Sequence, residues 1–372
     1  MMEVNNPISF DFNGKPTKGG INDQRMGVID KDSYCKTCNC KSKQCPGHFG
    51  YIPLVKPVFH VYFIKECLYL IKCICQNCSK ILIKNEDYQR ISKINNEKQR
   101  KKEINNLIKS KKLNKVCGYC HFEANDYKKI GLKIYEIIKI EDSENKSKKA
   151  KKKENEIKPE KILDIFTKIS KEDSDFLGFK SSFARPEWMI IKNLLVCPPA
   201  ARPSVSVDSN LRAQDDLTNQ YNEILKINKE LTKQINKKAI EIVLTDLFDK
   251  LQFSVATLIN NHLSIGRSYK SNGEPIKCLF SRINGKQGLI RENLMGKRDD
   301  FTARSVISPD PNLQVDEIGI PLSIAKNLTY PELYFDLPKQ KEKIKKFLKN
   351  TKKNSEILAK IKKEKNFKLN QN

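Results

Sequence analysis

The sequence has no long hydrophobic run. Its most apolar stretch, PVFHVYFIKECLYLIKCIC, is interrupted by Lys65, Glu66 and Lys72, whereas a membrane-spanning helix needs roughly 20 predominantly apolar residues. We therefore expect a buried element of a folded domain and no membrane span. The first residues, MMEVNNPISFDFNGK, also lack the apolar core of a secretory signal. This predicts a reducing compartment, where the twelve cysteines favour metal sites or free thiols over disulfides.

Acidic residues are few relative to basic ones. The 372 residues include 70 lysines and arginines against 44 aspartates and glutamates, which gives a formal net charge of +26. Such a charge favours polyanionic partners, chiefly nucleic acid. Many lysines lie with asparagine and isoleucine in tails and linkers, so compositional drift is an alternative explanation. The hydrophobic share of 38% is low but sufficient for packed cores, and the length allows two or three domains.

Four ligand-type side chains lie close together in the stretch CKTCNCKSKQCPGHFG. Cys35 and Cys38 form a C-x-x-C pair, and Cys45 and His48 form a C-x-x-H pair. Zinc takes about four nitrogen or sulfur ligands in a tetrahedron, and a C-x-x-C turn supplies two thiolates from one loop. We therefore predict a structural zinc site of three thiolates and one imidazole. Cys40 is predicted to be a spare thiol, because only one residue separates it from Cys38.

A second C-x-x-C pair, Cys75 and Cys78, is matched by Cys117 and Cys120 across a long insertion. Two such pairs predict a four-thiolate zinc site even when the gap between them is wide. His121 is a weaker competing ligand. Thioredoxin-like redox chemistry is the alternative, but it uses one such motif beside a β-α-β unit, and none is apparent here. Both predicted sites are closed, so we expect them to stabilise structure and not to catalyse.

Hydrophobic periodicity predicts two antiparallel helices, an αα-hairpin, in the third quarter of the chain. Apolar positions recur every three or four residues over Leu217–Ile235 and again over Ile240–Leu251, with a break near Asn236. Asp215 and Asp216 are candidate N-terminal caps. One long surface helix is the alternative.

Three further segments differ in composition. Residues 1–20 are predicted to be a flexible lead-in, and the lysine-rich residues 141–158 a linker or surface insertion. Residues 162–207 contain several prolines and the only tryptophan, Trp188. We predict that this last segment is folded core.

The segment SRINGKQGLIRENLMGKRDDFTARSVIS combines cations with glycines. Its cations are Arg282, Lys286, Arg291, Lys297, Arg298 and Arg304. Guanidinium groups match phosphate oxygens, and such backbone contacts give affinity without reading base sequence. The glycines Gly285, Gly288 and Gly296 would let the backbone approach a ligand closely. No P-loop pattern is present. The alternative is a solvated charged face, which nearby acidic residues partly neutralise.

These motifs resemble the largest subunit of multisubunit DNA-directed RNA polymerases. The resemblance rests on GGINDQRMGVIDKDSYCKTCNCKSKQCPGHFG, RPEWMI, PPAARPSVSVD, QDDLTNQYNEILKIN and GKQGLIRENLMGKRDDFTARSVISPDPN. It covers about residues 19 to 335, apart from the lysine-rich insertions near residues 95–115 and 141–158. The match is closest to the RNA polymerase II type and its large-virus relatives.

The resemblance implies a mixed α/β (α+β) fold, a zinc-stapled clamp domain whose αα-hairpin forms the clamp helices. It divides the chain after residue 20 into a clamp core with two zinc sites (21–205), a lid, clamp helices and rudder (206–280), a switch region (281–310), and an incomplete start of the dock or active-site domain with a lysine-rich tail (311–372). The family's second zinc site has a wider gap between its last two ligands than Cys117 and Cys120 have.

The resemblance also implies roles for residues of the basic segment. Residues that match Lys286, Arg291, Lys297, Arg298 and Arg304 hold the DNA template strand and the RNA–DNA hybrid in that family. Asn284 stands where a basic residue is usual, which weakens one contact.

The family's catalytic Mg²⁺ ligands are three aspartates in an Asn-Ala-Asp-Phe-Asp-Gly-Asp block, which does not occur in this sequence. The stretch KEDSDFLG, with Asp173 and Asp175, is only superficially similar, and we predict that it is a surface turn. Two-metal phosphoryl transfer requires its ligands. The resemblance therefore implies part of a nucleotidyltransferase whose aspartates lie in a companion polypeptide or a downstream part.

The implied partners are the DNA template, the RNA–DNA hybrid, the second-largest subunit and other polymerase subunits, with no membrane. The implied location is the nucleus or, for a virus-encoded protein, a cytoplasmic factory or virion. An inactive truncated fragment and a free-standing zinc-containing nucleic-acid-binding protein are the alternatives.

Overall fold

The structure, a computed structural model, describes residues 1–328 apart from residues 13, 31–32, 111, 141–150, 207–211, 264–265 and 271. The chain divides into two units, Met1–Glu292 and Asn293–Asn372. Several predicted features fall partly outside the described residues: the linker at 141–158, the lid, the rudder, and the dock segment with its lysine-rich tail.

The described elements are both helical and extended, so the predicted mixed α/β class is confirmed. In the first unit the helices are α1 (Ile64–Cys73), α2 (Asn85–Ser92), α3 (Glu97–Lys109), α4 (Pro159–Thr167), α5 (Lys171–Phe176), α6 (Asp216–Asn236), α7 (Glu241–Ile259) and α8 (Leu279–Ile283). The strands are β1 (Met2–Glu3), β2 (Gly50–Phe59), β3 (Asp126–Ile130), β4 (Lys133–Ile140), β5 (Lys151–Ile157), β6 (Ile190–Val196), β7 (Val205–Ser206) and β8 (Arg212–Ala213). The second unit contains α9 (Leu322–Asn327).

The first unit is built around the long strand β2. It pairs with β1 in parallel and with β6 in antiparallel orientation. The β2–β6 pair contributes to two hydrophobic clusters. Phe59 and Ile190 belong to a cluster with helices α1, α3, α4 and α5. Ile52 and Leu194 belong to a cluster with α6 and α7. A second antiparallel sheet, β3–β4–β5, packs against α1.

The apolar stretch at residues 57–75 forms the end of β2 and the whole of α1. Cys67, Leu70, Ile71 and Cys73 are fully buried on this helix, as the sequence predicts for an element of the core. Among the residues that the structure describes, no helix is both long and apolar enough to span a membrane.

Helices α6 and α7 form the predicted αα-hairpin. Asp215 is the N-cap of α6, and its side chain accepts a hydrogen bond from the Leu217 amide. The first helix ends at Asn236 and the second begins at Glu241, so the alternative prediction of one long surface helix is wrong. Leu217, Tyr221, Ile224 and Leu231 are buried along α6 and Ile235 is partly buried, but the first positions of the second run are not, since Ile240 is 72% exposed.

Two amide side chains of the hairpin hold the backbone of β2. The β2–β6 register shifts between Pro53 and Val58, which leaves backbone groups of β2 without ladder partners. Asn228 of α6 accepts from the Val55 amide (3.0 Å) and donates to the Pro53 carbonyl (2.9 Å). Gln252 of α7 bonds both the amide and the carbonyl of Phe59, at 2.7 and 3.0 Å. Buried backbone groups need such partners.

The N-terminal residues differ from the predicted flexible lead-in. Met2 and Glu3 pair with Gly50 and Tyr51 as an edge strand, and Val4 is fully buried. The prediction was wrong because the segment is mostly polar, and only a few of its side chains, such as Val4, attach it to the folded unit. It is therefore part of the folded unit.

Three other expectations need correction. Residues 151–157, predicted within a linker or surface insertion, form strand β5, in which Glu156 pairs with Lys133 of the neighbouring strand β4, Glu154 pairs with Lys128 of β3, and Ile157 is buried. The first six residues of KEDSDFLG, including Asp173 and Asp175, form helix α5, capped by Ser170, and only Leu177 and Gly178 lie in a turn. Trp188 is 58% exposed although its segment contributes to the core, which its neighbour Met189 enters instead.

Arg202 is the largest fully buried polar side chain, only 1% exposed. Its Nε donates to the Cys197 carbonyl (2.9 Å) and its Nη2 to the Ile21 carbonyl (2.6 Å). Its Nη1 donates to Asn22 (2.9 Å) and to Thr218 of α6 (3.2 Å). The guanidinium group thus joins the N-terminal segment, the end of β6 and the hairpin.

We expect Arg202→Lys to lower the free energy of unfolding by about 2–4 kcal/mol, because an ammonium group cannot reproduce the planar fork and leaves buried oxygens unpaired. Urea unfolding followed by circular dichroism measures this. The control is Arg90→Lys, at a side chain that is 61% exposed, where the change should stay within about 0.5 kcal/mol. Equal effects of the two substitutions would contradict a special role for Arg202.

Candidate metal centres and nucleic-acid interface

Three of the predicted ligand pairs lie on hairpins with the same local structure. In each hairpin an isolated β-bridge joins the residue before the first cysteine to the third residue after the second. These bridges are Tyr34–Lys41, Ile74–Ile81 and Val116–Glu123. The residue after the second cysteine is left-handed every time, at φ 55° for Asn39, 57° for Ser79 and 56° for His121. Such a conformation costs a non-glycine residue about 1–2 kcal/mol, and surrounding structure must hold it in place.

The first group brings together Cys35, Cys38, Cys45 and His48, whose ligand atoms all lie within 4.8 Å of one another. The Sγ atoms of Cys38 and Cys45 are 3.5 Å apart, and Cys45 Sγ is 3.7 Å from His48 Nε2. Cys40 lies outside this group, and its thiol donates to the Cys38 carbonyl at 3.4 Å.

The first group is fixed to the short helical turn at Gln24–Met26. The His48 amide donates to the Met26 carbonyl (2.9 Å), and the Thr37 hydroxyl donates to the Arg25 carbonyl (2.6 Å). Gly47, between the last two ligands, has φ +81°, and a Cβ there would lie 2.8 Å from Pro198. Only glycine fits this turn, since both its conformation and the close contact exclude a side chain.

The second group brings together Cys75, Cys78, Cys117 and Cys120, again within 4.8 Å. Two hairpins face each other, so that Cys75 Sγ lies 3.5 Å from Cys120 Sγ and Cys78 Sγ lies 3.5 Å from Cys117 Sγ. The tight Cys117/Cys120 spacing therefore brings both thiols to the first pair. His121 is not in the group.

The separations within both groups fit a tetrahedral metal site. A Zn–S bond of about 2.3 Å gives a sulfur–sulfur edge of about 3.8 Å in a tetrahedron, close to the distances of 3.5 Å seen here. A disulfide requires about 2.05 Å, and all twelve cysteines are unbridged. Both groups can bind metal ions, and their thiolate-rich donor sets suit a soft or borderline cation more than magnesium or calcium.

The electrostatics of the groups also suit a cation. A hydrogen bond with His48 lowers the pKa of Cys38 to about 6, whereas burial raises the pKa of neighbouring Cys45 to about 11. In the second group the Phe122 amide lowers the pKa of Cys120 to about 7, and burial raises that of Cys78 to about 12. Each group thus contains thiols that ionise fully only with a positive charge among them.

Two cysteines outside the groups are ordinary core residues. Cys67 and Cys73 are fully buried on α1. Burial raises the pKa of Cys67 to about 12. A thiol of this kind is not a nucleophile near neutral pH.

The predicted nucleic-acid-binding cations are all exposed. Lys286 and Arg291 belong to the first unit, and Lys297, Arg298 and Arg304 belong to the second. No acidic residue lies in an ion pair with Lys286, Arg291, Lys297 or Arg304 among residues 1–328 as described.

Arg282 has a different role from the other cations of this segment. It pairs with Asp215 at 2.5 Å and donates to the Ala201 carbonyl at 2.7 Å. The cation thus links α8 to the N-terminus of α6, where the same Asp215 carboxylate caps the helix. The composition of the segment alone could not show this role of Arg282, because its partners are distant in the chain, although the resemblance does not include Arg282 among the nucleic-acid ligands.

The glycines of the basic segment are explained in part by a turn of the chain itself. Gly285 has φ +98°, and its carbonyl accepts from the Gly288 amide at 3.2 Å. A Cβ at Gly288 would lie 2.5 Å from the Ile283 carbonyl oxygen. The close approach predicted for these two glycines is therefore to neighbouring backbone.

Comparison with known proteins agrees with this architecture. The family model described as RNA polymerase Rpb1, domain 1, matches residues 1–294, and the one described as RNA polymerase Rpb1, domain 2, matches residues 296–371. The chain belongs to the Rpb1 family of RNA polymerase largest subunits. The resemblance seen in the sequence motifs is thereby confirmed.

Two curated relatives show how much of the family this chain spans. It is 41% identical over 348 residues to the DNA-directed RNA polymerase II subunit RPB1 of Euplotoides octocarinatus, which covers 90% of this chain and 71% of that protein. It is 36% identical over 336 residues to the DNA-directed RNA polymerase subunit Rpo1N of Thermococcus celer, which covers 89% of this chain but 36% of that protein. The chain thus corresponds to the N-terminal portion of an Rpb1 subunit.

We expect the purified chain to contain about two metal ions, because each group supplies a complete set of four ligands. Inductively coupled plasma mass spectrometry counts the ions and identifies the element. The double substitution Cys75→Ser/Cys117→Ser should remove about one ion, since it removes half of the second ligand set.

Cys40→Ser is the matched control for this experiment, and it should leave the metal content unchanged. Loss of an ion from the Cys40→Ser protein, or well under about two ions in the unaltered chain, would contradict the two ligand sets.

Proposed function

We propose that this chain forms the clamp and switch region of a DNA-directed RNA polymerase and holds the DNA template and the RNA–DNA hybrid during transcription. The observation that carries the proposal is an exposed basic segment, residues 286–304, in a chain of the Rpb1 family. The lid and rudder would separate transcript from template, and the switch segment would seat the template strand.

The proposed metal is zinc in both groups. Cys35, Cys38, Cys45 and His48 would hold the first ion, and Cys75, Cys78, Cys117 and Cys120 the second. Zinc would act as a structural cross-link, because each set leaves no open coordination position. The distances and the burial within the two groups support this assignment.

The proposed ligands of the nucleic-acid backbone are Lys286, Arg291, Lys297, Arg298 and Arg304. Their exposure leaves them accessible to phosphates, and cations that bind a polyanion release the counterions condensed on it. Contacts of this type depend on the backbone and not on base sequence, as a polymerase that transcribes many templates requires.

The chemistry of nucleotide addition would come from other residues of the enzyme. The three-aspartate block that holds Mg²⁺ in this family does not occur among the 372 residues. We propose that it lies on a companion polypeptide or on a further part of the same protein, and that the second-largest and other polymerase subunits are partners. The nucleus is the proposed location.

We expect Arg291→Gln/Arg298→Gln to weaken binding of an RNA–DNA hybrid by a similar factor for several base sequences. The slope of log K against log salt should fall in magnitude by up to about 1.8, since each phosphate contact contributes about 0.9. Fluorescence anisotropy of labelled hybrids over a salt series measures both quantities.

Arg90→Gln, at an exposed arginine of α2, is the control for this experiment and should have little effect. A loss confined to one base sequence, or an unchanged salt slope, would contradict backbone contact. Co-purification from the native source tests the subunit assignment separately, and the chain should bring down the second-largest subunit. If the chain purified without other polymerase subunits, a free-standing protein would be favoured.

A further inference from the structure

Helix α3 carries a row of lysines on its outer face. Lys98, Lys102 and Lys109 are exposed, and at 100° per residue they fall within about 40° of one another around the helix. Ile104 and Leu107 point to the opposite side and are buried in the core with α1. The helix is therefore fixed by its apolar side, and the lysine row faces solvent.

Two further exposed lysines follow α3 in the chain. The Lys112 amide donates to the Leu107 carbonyl at 3.1 Å, which folds the following loop back on the last helical turn. Lys112 and Lys115 in this loop are also exposed. We call the five side chains Lys98, Lys102, Lys109, Lys112 and Lys115 the α3 patch.

The α3 patch differs from Lys101 of the same helix in having no acidic partner. Lys101 pairs with Glu66 at 2.5 Å, and Arg100 donates to the Asp175 carbonyl at 3.0 Å. None of the five patch lysines forms an ion pair among the described residues of the chain. If neighbouring acidic residues neutralised the charge of this face, its lysines would form such ion pairs.

The acidic residues of α3 lie away from the patch. Glu97 and Glu103 are each about 120° around the helix from the centre of the lysine row, and Glu97 pairs with Lys180 at 3.3 Å. The positive charge of the row is therefore not neutralised from its own helix.

We propose that the α3 patch binds the phosphate backbone of duplex nucleic acid without base specificity, as a second contact separate from residues 286–304. The row from Lys98 to Lys109 spans about 16 Å along the helix, long enough to follow several phosphates. Lysine binds phosphate as a point charge, so the contact carries affinity and salt dependence.

Two other partners fit the patch less well. Protein interfaces are depleted in lysine and need an apolar centre, whereas α3 has no large exposed hydrophobic side chain. A membrane-bound amphipathic helix inserts its apolar face, but here that face is already buried in the protein core.

The test uses the full chain and a short fluorescein-labelled DNA duplex of random sequence, followed by anisotropy over a salt series. Lys98→Gln/Lys102→Gln/Lys109→Gln should weaken binding at least about tenfold and reduce the salt slope by about 2.7, that is, by 0.9 for each of three contacts. The conservative variant Lys98→Arg/Lys102→Arg/Lys109→Arg should bind as the unaltered chain does.

A charge-matched control is Lys226→Gln/Lys229→Gln/Lys237→Gln, at exposed lysines of α6 and its end. It should retain duplex binding, and unchanged metal content should show that all variants are folded. An equal loss in this control, or an unchanged salt slope in the α3 variant, would overturn the proposal. If the Lys98→Gln/Lys102→Gln/Lys109→Gln protein bound duplex DNA as well as the unaltered chain but no longer bound polyglutamate, the proposal would be overturned in favour of an acidic protein partner.

These outcomes are distinguishable from failure of the proposed polymerase role. The Arg291→Gln/Arg298→Gln protein reports on hybrid binding by the switch segment, and the α3 variants report on duplex binding by a different surface. The proposed hybrid binding and the proposed duplex binding can therefore be contradicted independently of each other.

Discussion

The first unit depends on a buried positive charge at Arg202. Burial lowers the pKa of this guanidinium to about 10, so it remains protonated near neutral pH. Four hydrogen bonds to neutral oxygen atoms compensate for its lost hydration, and its guanidinium carbon lies 5.8 Å from the centre of the Tyr221 ring. Because its acceptors come from three distant parts of the chain, the charge is satisfied only when all three are in place.

That arrangement also positions the first metal group. Ile21 and Asn22, which accept from Arg202, lead directly into the turn at Gln24–Met26, whose Met26 carbonyl accepts from the His48 amide. On the other side, Cys197 accepts from Arg202 and is followed by Pro198, which packs against Gly47. Arg202 therefore fixes two segments that both contact the first metal group.

The features that sequence analysis predicted are those encoded by residues close together in the chain. The ligand sets follow from C-x-x-C and C-x-x-H spacing, and the αα-hairpin follows from an apolar period with a break at Asn236. Asn228 occupied an apolar position of that period, but its bonds to β2 could not be foreseen, because its partners lie more than 170 residues away. Strand β5 was missed for the same reason, since cross-strand ion pairs compensate for its weak strand propensity.

The lysine row of α3 lies in the segment between the two cysteine pairs of the second metal group. Residues 79–116, which include α2 and α3, lie between its two cysteine pairs, so that a bound ion would close this segment into a loop. Within the loop, Lys101 fixes the orientation of α3 by pairing with Glu66 and by lying 4.9 Å from the centre of the Phe179 ring. Cations that face inward therefore serve the fold, and this leaves the outward cations of the same helix available for a polyanion. Inward and outward cations differ in whether they contact acidic or aromatic side chains of the same chain, and composition does not show this. A count of lysines alone therefore could not separate a binding surface from compositional drift.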